Sequence, residues 1–343
     1  MTYADFVNKE LVAFARYDVD RMIPCLVDGL KIGQRKVIFC CFRRKLTCDM
    51  KVAQLSGYVA EHAAYHHGEA SLHGTIISLA QTFVGANNIN LLVPSGQFGT
   101  RMQGGRDHAA ARYIFTRLSR VTRCIFPEED DAVLDYLKDE GQDIEPKWYA
   151  PVIPMVLVNG ANGIGVGWST SVPNYNPREI IANLRRHLRN EPLMPMTPWY
   201  KGFKGSIMPG KEDGKFDVNG VATKRGRTKV EIVELPLRKW TQDYKEWILE
   251  QLPQAGAERR ATITDVREYH TENLVRFVCS ITPDKLAEAE RRGLDLVFHL
   301  RGSLATTNMM LFDAEGKIRK YDSPEQILVE FADARLGVYA KRR

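Results

Sequence analysis

The chain has 343 residues, 44% of them apolar, 26% charged and 9% aromatic, with a net charge of +6. That mixture fits a globular protein long enough for two or three domains of ~150 residues, and it excludes whole-chain disorder, collagen-like repeats and coiled coil. Asp5, Lys9 and Glu10 interrupt any secretory leader, and Pro151, Pro154, Pro173 and Pro177 break the uncharged stretch 148–177, so no membrane partner is expected. Cys25, Cys40, Cys41, Cys48, Cys124 and Cys279 show neither a CxxC pair nor zinc-ligand spacing, which points to a reducing compartment.

In chain order, Tyr3, Phe6, Val7, Leu11 and Phe14 fit one helical stripe, and Val37, Ile38, Cys41 and Phe42 a second. Val52, Leu55, Val59 and Ala63 make a third stripe; Leu72, Ile76, Leu79 and Phe83 make a fourth, with Ser71 available as a cap after Gly68. Two short helices around a glycine-containing turn are compatible with a helix-turn-helix. A strand at Asn90–Val93 and glycine-rich polar loops follow, which together describe a winged helix. Val152–Val158 reads as an apolar strand, and Pro177–Arg189 as a helix capped by Asn176. Lys201–Pro236 reads as strands and hairpins, Thr241–Leu252 as a helix and Asn273–Ile281 as a strand. Thr282-Pro283 opens a helix that Gly293 closes; Ser323-Pro-Glu-Gln326 caps a last one with Ile327, Phe331, Ala334 and Val338 on one face. That pattern runs to Arg343 without a stop signal, which suggests a piece of a longer protein.

Charge is segregated. Seven basic residues lie between Lys31 and Lys51 against Asp49 alone, and six arginines between Arg101 and Arg123 against Asp107 alone. Nine acids and one lysine then fill Glu128–Glu145. Such a distribution suggests a cationic surface for a polyanion and a face kept away from it, although a single run can equally be solvated helix surface.

The segment Gln97–Thr116 combines a phenol, several arginines and flexible glycines, which is the equipment of phosphoryl transfer on nucleic acid. A tyrosine hydroxyl near pKa ~10 is a poor nucleophile at neutral pH unless cations stabilise its phenolate, and arginine suits that role. From the residues alone Tyr113 is also compatible with a packing tyrosine. Arg112 and Tyr113 would face opposite ways in a regular strand, so their convergence requires a turn out of Ala109–Ala111 or a neighbouring subunit. Two decoys occur. Gly163-x-Gly165-x-Gly167 lacks the following helix of a dinucleotide loop. His62 and His66, near Glu69, lack a third convincing metal ligand, so no metal site is expected.

Several strings resemble one family. They are Ile23-Pro-Cys-Leu-Val-Asp-Gly-Leu-Lys-Ile-Gly-Gln-Arg-Lys36, Ala64-Tyr-His-His-Gly-Glu69, Gln97-Phe-Gly-Thr-Arg101, Gly104-Gly-Arg-Asp107, Ala111-Arg-Tyr-Ile-Phe-Thr116 and Asn159-Gly-Ala-Asn-Gly-Ile-Gly-Val-Gly-Trp168. With Lys51-Val-Ala-Gln-Leu, Glu234-Leu-Pro, Trp240–Lys245, Ile263-Thr-Asp and Lys320-Tyr-Asp, they cover essentially the whole chain. The chain resembles the breakage-reunion region of type IIA DNA topoisomerases, of the eukaryotic topoisomerase II kind. The resemblance implies an α+β fold: a winged-helix domain at 1–127, a mixed α/β tower at 128–322 and the start of a coiled-coil arm at 323–343.

It also implies a DNA gate that cleaves and reseals duplex DNA through a 5′-phosphotyrosine while a second duplex passes. Tyr113 would be the nucleophile and Arg112 would stabilise the pentavalent phosphorus. Arg35, Lys36, Lys51, His66, His67, Gln97, Arg101 and Arg106 would contact DNA, and Ile164, prominent between glycines at a loop tip, would wedge into a base step. The implied whole enzyme is a nuclear homodimer, or one from a mitochondrion- or kinetoplast-like compartment, using Mg²⁺ and ATP. The acidic clusters that hold Mg²⁺ and the phosphate-cradling ATPase loop are expected to lie on domains outside this chain. Ile32 stands where the family usually carries proline. Two alternatives stay open: a gyrase- or topoisomerase IV-like A subunit with its metal domain on another chain, and a non-catalytic DNA-bending winged-helix protein.

Overall fold

A computed structural model describes residues 2–253 and 263–343. The chain opens with one continuous helical run, Tyr3–Asp5, a π-helical stretch Phe6–Leu11 and Val12–Met22. The expected stripe is helical but not covered: Tyr3, Phe6, Val7, Leu11 and Phe14 are all exposed, and Val19 is the buried residue of Val12–Met22.

The winged-helix unit follows. Ile32–Arg43 buries Val37 through Phe42, and Val52–His62 buries Val52, Leu55 and Val59 on the face that the periodicity predicts. Glu69–Ala80 completes the trio; Gly68, not Ser71, is its N-cap, and Ser71 instead accepts the Tyr65 hydroxyl at 3.3 Å. The wing is smaller than expected. Met50–Lys51 pairs antiparallel with Phe115–Thr116, while Asn90–Val93 contributes one bridge, Leu92 to Leu118, and no strand.

Val152–Val158 is not a strand either. Its second half forms the helix Met155–Asn159, opened by Pro154 and buried on every side, from Met155 through Val158. A short run that is apolar all round carries no periodicity to distinguish the two structures. Beyond it, the antiparallel hairpin Ala161–Gly165/Trp168–Val172 leans on Val12–Met22. A Cβ at Gly163 would lie 2.0 Å from the Met22 carbonyl oxygen, so this close approach requires glycine. Helix Pro177–Leu188 starts as expected, with the Asn176 side chain accepting from Arg178 N at 3.0 Å.

The apolar cores do not divide at residues 127 and 322. One core joins the three winged-helix helices to Tyr149, Met155–Val158, Tyr175 and Ile180, and also to Met309, Leu311, Tyr321, Ile327 and Phe331. A separate body is built from the four-stranded antiparallel sheet Asp265–Glu268, Phe277–Ser280, Lys229–Glu234 and Val221–Arg225. Helices Thr241–Glu250 and Pro283–Arg292 flank this sheet, and Val230, Ile232, Tyr244, Phe277 and Phe298 fill its core. A small third cluster, Tyr200, Val218 and Leu304, sits under the sheet of Ser206–Pro209, Lys215–Asn219 and Arg301–Ala305.

The last helix, Pro324–Arg342, is capped by Ser323, which accepts from Gln326 N, while Gln326 accepts from Asp322 N. Asp130 anchors its far end, pairing with buried Arg335 and, at 3.1 Å, with Arg342. Among the described residues no helix is long and apolar enough to cross a membrane.

Candidate nucleic-acid interface

Arg112 and Tyr113 lie in a turn, which removes the difficulty of opposite strand faces. Tyr113 N donates to Ala110 O at 2.9 Å, and the Arg112 guanidinium sits 4.8 Å from the Tyr113 ring centroid. The turn is held on both sides by the start of helix Val52–His62: Ala53 N donates to Ala111 O at 3.1 Å and Val52 N to Ile114 O at 3.0 Å. With Ala111 and Ile114 buried and Tyr113 66% exposed, the backbone is fixed while the phenol stands in solvent. Lys51 lies beside it in the wing, its Nζ 6.0 Å from the Phe115 ring.

The expected contacts are exposed or buried, except His67, which is half-buried. Lys51, His66, Gln97, Arg106 and Arg112 are exposed. Gln97 also holds its own loop, accepting from Gly99 N at 3.0 Å. Arg35, Lys36 and Arg101 are buried, each against a carboxylate. Arg35 Nε donates to Asp28 at 2.6 Å, Lys36 Nζ to Glu145 at 2.9 Å, and Arg101 pairs with Glu234. All three cations are already paired in a desolvated setting, which opposes the expected contact with DNA, and Lys36 also lines the concavity of His66 and His67. Six of the nine acids of the acidic stretch, Glu128, Glu129, Asp135, Asp139, Glu140 and Asp143, are exposed, and the other three hold cations. Asp130, Asp131 and Glu145 are the partners of Arg335, Arg123 and Lys36.

His66 and His67 line a concavity of about 570 Å³ together with Tyr17, Arg21, Lys31 and Ser78. His67 Nε2 lies 2.6 Å from the Tyr17 hydroxyl. Partial burial, then the Arg21 cation, holds the His67 imidazole below the ordinary histidine range, so it favours the neutral form. Burial also lowers Lys31. Sequence reasoning passed over Arg21 and Lys31 as site residues; Arg21 lies seven residues before the Asp28 that the motif emphasises, on the helix that carries Tyr17. His62 and His66 do not share a helix, which ends at His62; the His62 ring stacks on Tyr58 instead, with centroids 4.0 Å apart.

Ile164 is a strand residue, not a loop-tip one, yet it is 82% exposed, and Val166 and Trp168 beside it at the hairpin end are also exposed. Asp18 accepts from Val166 N at 2.9 Å and ties this tip to the first helix. Asp18-Val-Asp20 is the one Asp-x-Asp spacing in the chain. Asp18 serves that hairpin, and burial raises the Asp20 carboxyl. Among the described residues no group of three or more histidine, cysteine or carboxylate side chains is placed to hold a metal ion. The charged groups beside Tyr113 are cationic, and Asp107 is engaged by Thr100 N at 2.8 Å, so these residues do not fit a divalent cation.

Comparison with known proteins bears on the family and the fold. The chain is 55% identical over its whole length to DNA topoisomerase 2 top-2 of Caenorhabditis elegans and 52% identical to human DNA topoisomerase 2-alpha. It spans 23% and 22% of those two proteins, so it matches about a quarter of each. The crystal structure of the Plasmodium falciparum topoisomerase II DNA-binding, cleavage and re-ligation domain superposes with a TM-score of 0.94 at 51% identity, covering all of this chain and 46% of that one. The family model for the A subunit of DNA gyrase/topoisomerase IV matches residues 21–343, and the chain belongs to that family.

Proposed function

We propose that this chain is the DNA-gate module of a type IIA topoisomerase, with Tyr113 as its nucleophile. The carrying observation is the exposed Tyr113 phenol on a backbone turn clamped at Ala111 and Ile114, with the Arg112 guanidinium against its ring. The Tyr113 hydroxyl oxygen attacks a backbone phosphorus of duplex DNA. A phenolic O–P bond forms as the bond from phosphorus to the 3′ oxygen breaks; the phenol proton leaves and the 3′ oxygen becomes a hydroxyl. One phosphate ester replaces another, so the 3′ hydroxyl can reverse the step without an outside energy source. Arg112 offers a bidentate cation to the equatorial phosphate oxygens as negative charge develops there.

Lys51, Arg106 and His66 supply backbone contacts, and the cleft that His66 also lines adds the cations Arg21 and Lys31. Ile164 enters a base step and bends the duplex, with Val166 and Trp168 widening the apolar tip. The whole enzyme is a nuclear homodimer in this reading, each protomer opening one strand, with Mg²⁺ and ATP held by domains beyond these residues.

The test traps the covalent complex of the full-length enzyme with duplex DNA and locates the modified peptide by mass spectrometry. The nucleotide is expected on residue 113, and Tyr113→Phe abolishes adducts while sparing DNA binding. Adducts that persist in Tyr113→Phe overturn the assignment. Residues 1–343 alone bind DNA without forming adducts.

A further inference from the structure

We infer that Arg101 is a positioning residue: through its buried pair with Glu234, the body at 200–305 sets the placement of the loop that carries Tyr113. The inference rests on the reading of Tyr113 as nucleophile.

The loop is closed on itself. Ala109 N donates to Gln97 O at 2.9 Å, Gly105 N to Thr100 O at 2.8 Å, and Thr100 N to Asp107 at 2.8 Å. The Gln81 amide bridges the carbonyls of Phe98 at 2.9 Å and Gly105 at 3.2 Å. Displacement at residue 101 is therefore carried to Ala109, and the Tyr113 turn starts at the next residue, Ala110.

Three ties join this ring to the body. Glu234 is 2% exposed and Arg101 5% exposed, and the carboxylate that holds the guanidinium also accepts Lys204 N at 3.0 Å and Leu235 N at 2.8 Å. Arg101 donates further to Leu235 O at 3.2 Å. The first N–H groups of helix Thr241–Glu250, which lack partners within a helix, donate to the loop: Thr241 N to Arg101 O at 3.4 Å and Gln242 N to Met102 O at 3.0 Å. Trp240 presses on the ring so closely that a Cβ at Gly104 would lie 2.3 Å from its Cε2.

On its other side the nucleophile turn is fixed to Val52 and Ala53. Tyr113 thus hangs between two anchors, one in the winged-helix core and one in a body whose anchoring residues Glu234, Leu235 and Thr241 lie more than a hundred positions away. Glu234 sits where the strand Lys229–Glu234 breaks register with Val221–Arg225, a place where bulges re-aim side chains. A duplex that shifts this body shifts Tyr113 with it.

The experiment uses the full-length homodimer with Arg101→Met, Glu234→Gln, Arg101→Lys and the double variant R101M/E234Q, beside wild type and Tyr113→Phe. Single-turnover cleavage of a nicked duplex and DNA affinity across a salt series are measured at a temperature where circular dichroism shows every variant folded. Arg101→Met and Glu234→Gln are each expected to slow the cleavage rate constant by roughly tenfold or more, since misplacing a reacting group by ~1 Å can cost ~100-fold. Affinity and salt slope stay at wild-type values, Arg101→Lys recovers most of the rate, and the double variant is no slower than the slower single.

A salt slope flattened by ~0.9 in Arg101→Met but not in Glu234→Gln makes Arg101 a phosphate contact and overturns the inference. Unchanged rate constants with only a lower melting midpoint overturn it as well. If Arg101→Met does not fold, Glu234→Gln, whose amide oxygen still accepts from one of the two backbone donors Lys204 N and Leu235 N, decides alone. Adducts in Tyr113→Phe would instead remove the underlying reading.

Discussion

The stretch 31–51 carries seven basic residues and the stretch 101–123 six arginines, yet their central cations differ in placement. Arg35 and Lys36 are buried against Asp28 and Glu145, with the Asp28 carboxylate also accepting Tyr149 N at 3.0 Å. Arg106, Arg112 and Arg120 are exposed and pair with no carboxylate among the described residues. Arg35 and Lys36 use their charge to join distant segments, as Arg101 does in the second stretch, whereas Arg106, Arg112 and Arg120 meet solvent. Local charge density does not separate the two uses; access to a buried carboxylate does.

Four substitutions test that contrast, beginning with the largest expected effect. Arg35→Met leaves Asp28 buried without its cation, so folding stability falls by about 3–5 kcal/mol, read as a lower denaturant midpoint. A loss below ~1 kcal/mol would show that the pair is no structural element. Ile164→Ala, at a site 82% exposed, leaves stability within ~0.5 kcal/mol but reduces DNA bending more than DNA affinity in a fluorescence assay. Unchanged bending would discard the wedge. Lys51→Ala and Arg106→Ala give the smallest effect: stability is unchanged and the slope of log affinity against log salt flattens by ~0.9 for each phosphate no longer neutralised. A slope unmoved by both would show that this cationic surface does not face the DNA backbone.

The helices of the winged-helix unit and the helices opening at Pro177, Pro283 and Pro324 were legible from periodicity and caps. The turn at Arg112-Tyr113 was legible only as one of two ways to bring the pair together, a neighbouring subunit being the other. Met155–Asn159 was not legible, since burial on every side erases the period that separates strand from helix. Nor were the fates of Lys36 and Arg101, whose partners lie 109 and 133 residues away. Arg35 had Asp28 only seven residues off, but nothing in the spacing says that the pair is shielded from water. The glycines around Ile164 signalled an unusual backbone; the fold uses Gly163 for close contact with Met22.

Asp130 holds two arginines of the final helix, Arg335 and Arg342, seven residues and about two turns apart on one side. A carboxylate grasping a rod at two points fixes its heading as well as its root. The segment 128–133 and the helix are therefore tied at two heights of one helix face, so a change in the helix's direction has to stretch one of the two pairs.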